Sequence, residues 1–201
     1  MHTELCRAEC TSRPRIWYFC RLANFISDDH ARCIAVPMMD TLEIRRFEDG
    51  DIAPAVAMLR VLAQRYIVHE STPEEAAQFL EANNAQAMRG FIAGPFVYHA
   101  ALVGGALAGF VAVREHKHLY HLFVASVWHG RGIARALCDV ARRHAIAAGG
   151  DGSLTVNASS FAVPVYESLG FVRTAPLQSV KGLQVNPMRL DASWPPLVGT
   201  P

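Results

Sequence analysis

The chain predicts a mixed domain, α/β in content and of the α+β type, in which a mostly antiparallel, twisted sheet carries helices on both faces. Three observations predict it. Two apolar runs of strand character flank Gly104-Gly105, the mark of a hairpin. Segments of helical period alternate with segments of period two along the rest of the chain. A further strand, "HLYHLFVA", runs through a glycine loop straight into the helical pattern of "VWHGRGIARAL".

Taken in order, "TLEIRRF" alternates as a strand should. Asp51 is a plausible N-cap for the helix "IAPAVAMLRVLAQRY", with Pro54 tolerated in its first turn. Thr72-Pro73-Glu74-Glu75 is a capping box with proline at the first helical position, opening a second helix to about Met88. The hairpin covers 96–103 and 106–114, and 118–125 is the next strand. A helix from about Gly132 to Ala148 stops at Gly149-Gly150. "SLTVNAS" is a short strand, Phe161 to Leu169 a helix ended by Gly170, and about 171–179 and 184–190 are two weaker strands. These elements make one domain over 39–192. Residues 1–38 show no sustained period and read as an N-terminal extension, or as residues ahead of a natural start at Met38 or Met39. The proline-rich end, 193–201, reads as a loose tail.

The formal charge of +1 excludes a global field for nucleic acid or an anionic membrane. The uncharged run from Gly90 to Val113 is long enough to span a bilayer. It contains Pro95, His99 and the Gly104-Gly105 pair, and a buried hairpin explains it better. The apolar run Ile16 to Cys20 is cut off by Arg21, too short for a secretory signal, so a cytoplasmic protein without membrane contact is expected. Four of the five cysteines, Cys6, Cys10, Cys20 and Cys33, stand with three, nine and twelve residues between them, which matches no common zinc pattern. No metal is expected.

The glycine loop has a chemical reading. A strand that ends in Gly130-Arg131-Gly132 and enters a helix aims several backbone N–H groups at one point, where a phosphate or pyrophosphate suits them. Glycine lets an anion approach the backbone, and Arg131 and Arg135 can add charge-assisted bonds. A P-loop would need G-x-x-x-x-G-K-[ST], and a dinucleotide fingerprint would need glycine where Arg135 stands; neither is present.

These residues resemble the GCN5-related N-acetyltransferases (GNAT), which use acetyl-coenzyme A. The family motif [QR]-x-x-G-x-[GA] is matched by His129-Gly130-Arg131-Gly132-Ile133-Ala134, after a strand and opening a helix. A second signature, a strand followed by an alanine, a tyrosine and Leu-Gly-Phe, is matched by "LTVNASSFAVPVYESLGF", and "VNPMRL" resembles the last strand. The resemblance covers about residues 41–191. The chain departs from it in two places: His129 stands where Gln or Arg is usual, and Ser159 stands where many members have an asparagine that touches the cofactor, with Asn157 two residues earlier.

The resemblance implies an enzyme that moves an acetyl group from acetyl-CoA to a primary amine by direct attack. It implies that Tyr166 lies near the cofactor sulfur, where a phenol protonates the leaving thiolate; the bland account is a core aromatic on helical spacing with Val163 and Leu169. It implies that the backbone of Leu122, Phe123 and Val124 meets the pantetheine arm and acetyl carbonyl, as a strand edge pairs with amides. Some members place a base at the position of His118, and an imidazole suits that task. Strand alternation puts His118, Tyr120, Leu122 and Val124 on one face and His121 and Phe123 on the other, so His116, His118 and His121 do not converge on a metal. Acceptor-lining residues are expected from the first helices and their loop, Tyr66, His69 and Glu70, together with Tyr120. The acceptor is a small molecule or a peptide amine, and a homodimer is compatible with all of this.

Two other readings compete. One is a non-catalytic coenzyme A binding or sensing module. The other is a nucleic-acid-associated factor using Arg131, Arg135, Arg142 and Arg143, although a helix spreads these over more than one face and a solvated surface is simpler.

Overall fold

The hairpin lies near the middle of the sheet. Its strands, β2 (Phe96–Val103) and β3 (Ala106–Arg114), are almost wholly buried, which accounts for the uncharged run that contains them. They are joined at Gly104-Gly105 and are covered on both faces. Residues 41–69 and 71–193 are described by this computed structural model, and they fall within a single compact unit. The expectations for 1–38, the Met38 or Met39 start, Glu70 and residues 194–201 lie outside the described residues.

The sheet order is β1-β2-β3-β4-β5-β8-β6, where β1 is Leu42–Arg46, β4 His118–Val124, β5 Leu154–Ala158, β6 Val172–Arg173 and β8 Leu183–Leu190. A further strand, β7 (Gln178–Val180), pairs with β8. Every pairing is antiparallel except β4 with β5. The span 171–179, expected as one strand, is two short ones, and β7 turns into β8 through Lys181 and Gly182, both with positive φ.

Helices cover both faces. On one, α1 (Asp49–Tyr66) and α3 (Ala85–Ala93) bury Ile52, Ala55, Leu59, Ala63 and Met88 against Tyr98, Phe110 and Ala112. On the other, α4 (Ile133–Ala147) and α5 (Val163–Ser168) bury Ile133, Leu137, Ala141, Val163 and Tyr166 against Val111, Leu119, Leu154 and Val156. Each fully buried Leu, Ile or Phe contributes roughly 1.5–3 kcal/mol relative to exposure.

Two helix boundaries differ from expectation. Glu48, not Asp51, is the N-cap of α1; Asp51 is its third residue and accepts the Glu48 N–H at 2.8 Å. Pro54 therefore lies past the first turn and removes one hydrogen bond from the helix. Asp51 is also gripped by Arg45 at 2.6 and 3.1 Å, joining α1 to β1. Burial alone would push this carboxyl up, but the Arg45 and Glu48 bonds outweigh it and hold it below the usual range.

The second expected helix is two. α2 (Pro73–Glu81) opens with the expected box, Thr72 and Glu75 capping each other, and ends before Asn83-Asn84. Asn84 accepts the Ala87 N–H at 2.8 Å and caps α3. Asn83 is buried: its amide donates to the Phe79 carbonyl at 2.8 Å and its oxygen accepts from His121 Nε2 at 2.9 Å. That fixes the proton on Nε2, so Nδ1 accepts from the Tyr98 hydroxyl at 3.2 Å. This buried chain ties both helices to β4 and β2.

Burial pushes the His121 imidazole down to about 3, and burial with Arg46 and His144 nearby pushes His99 down to about 4. Unfolded imidazoles bind a proton below about 6.5, so between those values the unfolded chain holds more protons and stability falls as pH drops. Unfolding free energies from denaturant titrations should fall between pH 6.5 and 4.5, with His121 and His99 each adding up to about one proton to the slope. His121→Phe should lower that slope by about one proton, and an unchanged slope would contradict the neutral, buried imidazole.

Candidate active site

β4 and β5 begin as a parallel pair, but their ladder has only two steps, His118 with Thr155 and Leu119 with Val156. At the next residue β4 bulges. Ala112 pairs with His121 and Val113 with Leu119, so Tyr120 is an extra residue with no partner on β3. A bulge bends its strand and strengthens the local twist. Beyond it the strands part around a cleft of about 470 Å³. Leu122, Phe123 and Val124 line one wall, and Val156, Asn157 and Ser159 the other. The edge of β4 turned toward β5 thus lacks a strand partner from Tyr120 onward.

The bulge also corrects the face assignment. Tyr120 joins His121 among the aromatic rings under α3, within 5.4 Å of Phe91 and 5.0 Å of Phe96, rather than sharing a face with Leu122 and Val124.

A 3-10 turn, Ser126–Trp128, leads from β4 to His129, Gly130, Arg131 and Gly132, which precede α4. His129 Nε2 donates to the Val124 carbonyl at 2.8 Å, locking the turn against the strand it leaves. Gly130 and Gly132 have φ of 73° and 81°, the left-handed region where a side chain is strained. No heavy atom lies within 4 Å of a Cβ built on either. The glycines thus serve backbone conformation and leave open space before the helix. The first turn of α4 presents its N–H groups there, with Gly130, Gly132, Ile133, Ala134 and Arg135 all lining the cleft. Arg131 does not line it; its guanidinium lies 4.6 Å from the Trp128 ring centroid. Arg135 also donates to the Ser168 carbonyl at 2.7 Å, joining α4 to α5.

Tyr166 of α5 is buried against Phe171 and lines the cleft. Burial, then the neighbouring Cys138, pushes its phenol well above the ordinary value, so it stays protonated. Burial likewise raises the Cys138 thiol to about 12, which makes it an unreactive core residue.

His118 is elsewhere. It precedes the point where the strands part, bonds Thr155 Oγ1 at 2.8 Å, and does not line the cleft. Burial and Arg114 push its imidazole down. The three histidines of this region separate: His121 is in the aromatic core, and His116 faces His144 at 5.7 Å between centroids. No group of metal-binding side chains assembles among the described residues.

A second cavity of about 410 Å³ adjoins the first and shares Tyr66, Ile67, Ser159 and Phe161 with it. Arg65, His69, Ser71, Ser160 and Gln184 complete its lining. Tyr66, at the end of α1, stacks on Phe161, from the loop after β5, with centroids 3.9 Å apart and planes at 16°. Of the expected acceptor residues, Tyr66 thus lies between the cavities, His69 in the second and Tyr120 in the first; Glu70 lies outside the described residues. Phe161, Arg65 and Gln184 were not anticipated. The exposed aromatic in Ser159-Ser160-Phe161 was the available signal for the first.

A family model for the acetyltransferase (GNAT) domain matches residues 67–192. The chain belongs to the GNAT acetyltransferase family. The match begins at Ile67 and so takes in the glycine loop, both strands that flank the cleft and Tyr166. Solved structures share the acetyltransferase fold. A GCN5-related N-acetyltransferase of Rhodopseudomonas palustris is 23% identical with a TM-score of 0.64, covering 76% of this chain and 96% of its own. The PaiA N-acetyltransferase of Thermoplasma acidophilum, solved with coenzyme A, is 15% identical with a TM-score of 0.62, over 75% and 98%. YncA of Salmonella typhimurium, solved with its cofactor acetyl-CoA, is 16% identical with a TM-score of 0.56, over 80% and 98%. No curated protein matches the chain.

The nucleic-acid reading finds no support in this GNAT acetyltransferase. Besides Arg131 and Arg135, Arg142 is buried and donates to the Gly152 and Ala192 carbonyls, so three of the four arginines are engaged within the chain. No described helix is long and apolar enough to cross a membrane.

Gly132→Ala meets no steric obstacle, so its cost is conformational. It should lower stability by about 1 kcal/mol with an unchanged denaturant slope. A loss of several kcal/mol would mean that the glycine fills a packing role instead.

Proposed function

We propose that this acetyltransferase moves the acetyl group of acetyl-CoA onto a primary amine, with the donor in the cleft between β4 and β5 and the acceptor in the adjoining cavity. The observation that carries it is the convergence of three features on one cleft: the free edge of β4, the open glycine turn at the start of α4, and Tyr166.

The residues fit that donor part by part. Pyrophosphate oxygens suit the first N–H groups of α4, with Gly130 and Gly132 keeping side chains out of their way and Arg135 beside them. The amides of the pantetheine arm suit the edge of β4 at Leu122 to Val124, as an added strand would. His129 also lines the cleft, and with its Nε2 committed to the Val124 carbonyl it holds the shape of the cradle. Ile133 and Ala134 supply apolar lining and backbone; Asn157 and Ser159 close the wall opposite β4.

The bound donor supplies a thioester carbonyl open to attack. An uncharged amine reaching it from the second cavity forms the new N–C bond, the C–S bond breaks, and the thiolate takes a proton from the Tyr166 hydroxyl. Burial keeps the Tyr166 phenol protonated at neutral pH, so it can donate its hydrogen bond to the thiolate as negative charge develops there, and the tyrosinate left by the proton transfer is reprotonated from solvent. The amine loses its own proton to solvent in the acceptor cavity. His118 is not proposed as the base, because the cleft does not include it.

The test is steady-state kinetics on Tyr166→Phe, which keeps the ring and removes the donor. Turnover should fall roughly 10²-fold or more, while KM for acetyl-CoA changes little. Unchanged turnover would remove Tyr166 from the chemistry and favour the bland account of a core aromatic.

A further inference from the structure

The polar side chains lining the second cavity are Arg65, Tyr66, His69, three serines and Gln184. Of these the Arg65 guanidinium carries a permanent charge and five donors, which suits an anionic group on the ligand. Arg65 sits in the last turn of α1, its guanidinium 5.1 Å from the Tyr66 ring centroid. It makes no ion pair or hydrogen bond among the described residues, unlike Arg45, which is held by Asp51. Tyr66 in turn stacks on Phe161, the pair standing between this cavity and the cleft. A guanidinium resting on a ring keeps its edge donors for a planar, bidentate partner, and a carboxylate matches that fork.

From this we infer that the acceptor is a small primary amine that carries a carboxylate, an amino acid or short peptide, bound with the carboxylate on Arg65 and the amine toward the Tyr66–Phe161 partition. The inference rests on the placement of acetyl-CoA in the neighbouring cleft. The volume of about 410 Å³ is near the lower end for small-molecule pockets, which suits a metabolite of this size. The nitrogen that attacks is the free amine; the carboxylate takes no part in bond making and serves only to orient it. Arg65 is therefore a specificity-determining residue, and the Tyr66–Phe161 pair sets how far the amine reaches.

The experiment follows coenzyme A release by the full chain with acetyl-CoA and a panel of amines. The panel contains the common amino acids, simple dipeptides, the carboxamide of each, and spermidine; calorimetric binding of acetyl-CoA is recorded in parallel. Turnover should favour carboxylate-bearing amines, with KM at least roughly tenfold lower than for the matching carboxamide, the scale of one charge-assisted pair. Arg65→Ala should erase that preference by raising the amine KM, with kcat and acetyl-CoA binding little changed, and Arg65→Lys should recover part of it. Carboxamides or spermidine serving as well as the acids, an unaltered preference in Arg65→Ala, or no turnover of any carboxylate-bearing amine by protein that binds acetyl-CoA would each overturn the inference. Failure of folded protein to bind acetyl-CoA would instead overturn the donor placement on which it rests.

Discussion

Everything at the site depends on a strand pair that is not allowed to continue. β4 and β5 run parallel for two residues and then part at the Tyr120 bulge. A sheet normally satisfies its backbone by pairing, and an unpaired inner edge is costly unless something else occupies it. Here the parting opens a cleft, and the same divergence aims the end of β4 at the glycine turn. The strand edge, the start of α4 and Tyr166 therefore line a single space without any one of them bending to reach it.

The surroundings make the divergence affordable. On one face, the buried chain from Tyr98 through His121 and Asn83 to Phe79 fixes β4 to the α2–α3 corner at the residue just after the bulge. On the other, α4 packs Ile133 and Leu137 into the core directly below the turn, and Arg135 holds α5 and its Tyr166 alongside. Gly109 belongs to the same arrangement: a Cβ there would lie 2.7 Å from the Phe123 carbonyl, so glycine lets β3 approach the diverging end of β4. The site is thus assembled on strands and helices rather than on long loops, which is what precise placement of reacting groups requires.

The hairpin, the β4-to-α4 passage and the strand–helix unit ending in Leu169-Gly170 were legible in the sequence because each carries a local signal: a Gly-Gly turn, a glycine loop and a stop after a helical period. The family resemblance carried by those segments implied that Tyr166 and the Gly130–Ala134 turn serve one cofactor, and both line the same cleft. The Tyr120 bulge was not legible, since an extra residue in one strand shows only against the register of its neighbour. For that reason His118 and Tyr120 exchanged prominence, and the alternation expected for β4 held only on one side of the bulge. The α2–α3 break was missed although Asn83-Asn84 marked it; a helical run masked a cap inside it. The second cavity was legible only through Tyr66 and His69, expected at the acceptor from the end of the first helix and its loop; its other walls were not. It forms where the end of α1, the loop after β5 and the β7–β8 hairpin meet, and no local pattern reports that meeting.

Hydrogen exchange of backbone amides, with and without saturating acetyl-CoA, tests the central claim most directly because it reports where the donor lies. The account predicts new protection concentrated at two places, the β4 edge from Leu122 to Val124 and the first turn of α4 from Gly132 to Arg135, while the far strands β1 and β2 are unchanged. Saturable binding with protection elsewhere, and none at the parted strands, would contradict it.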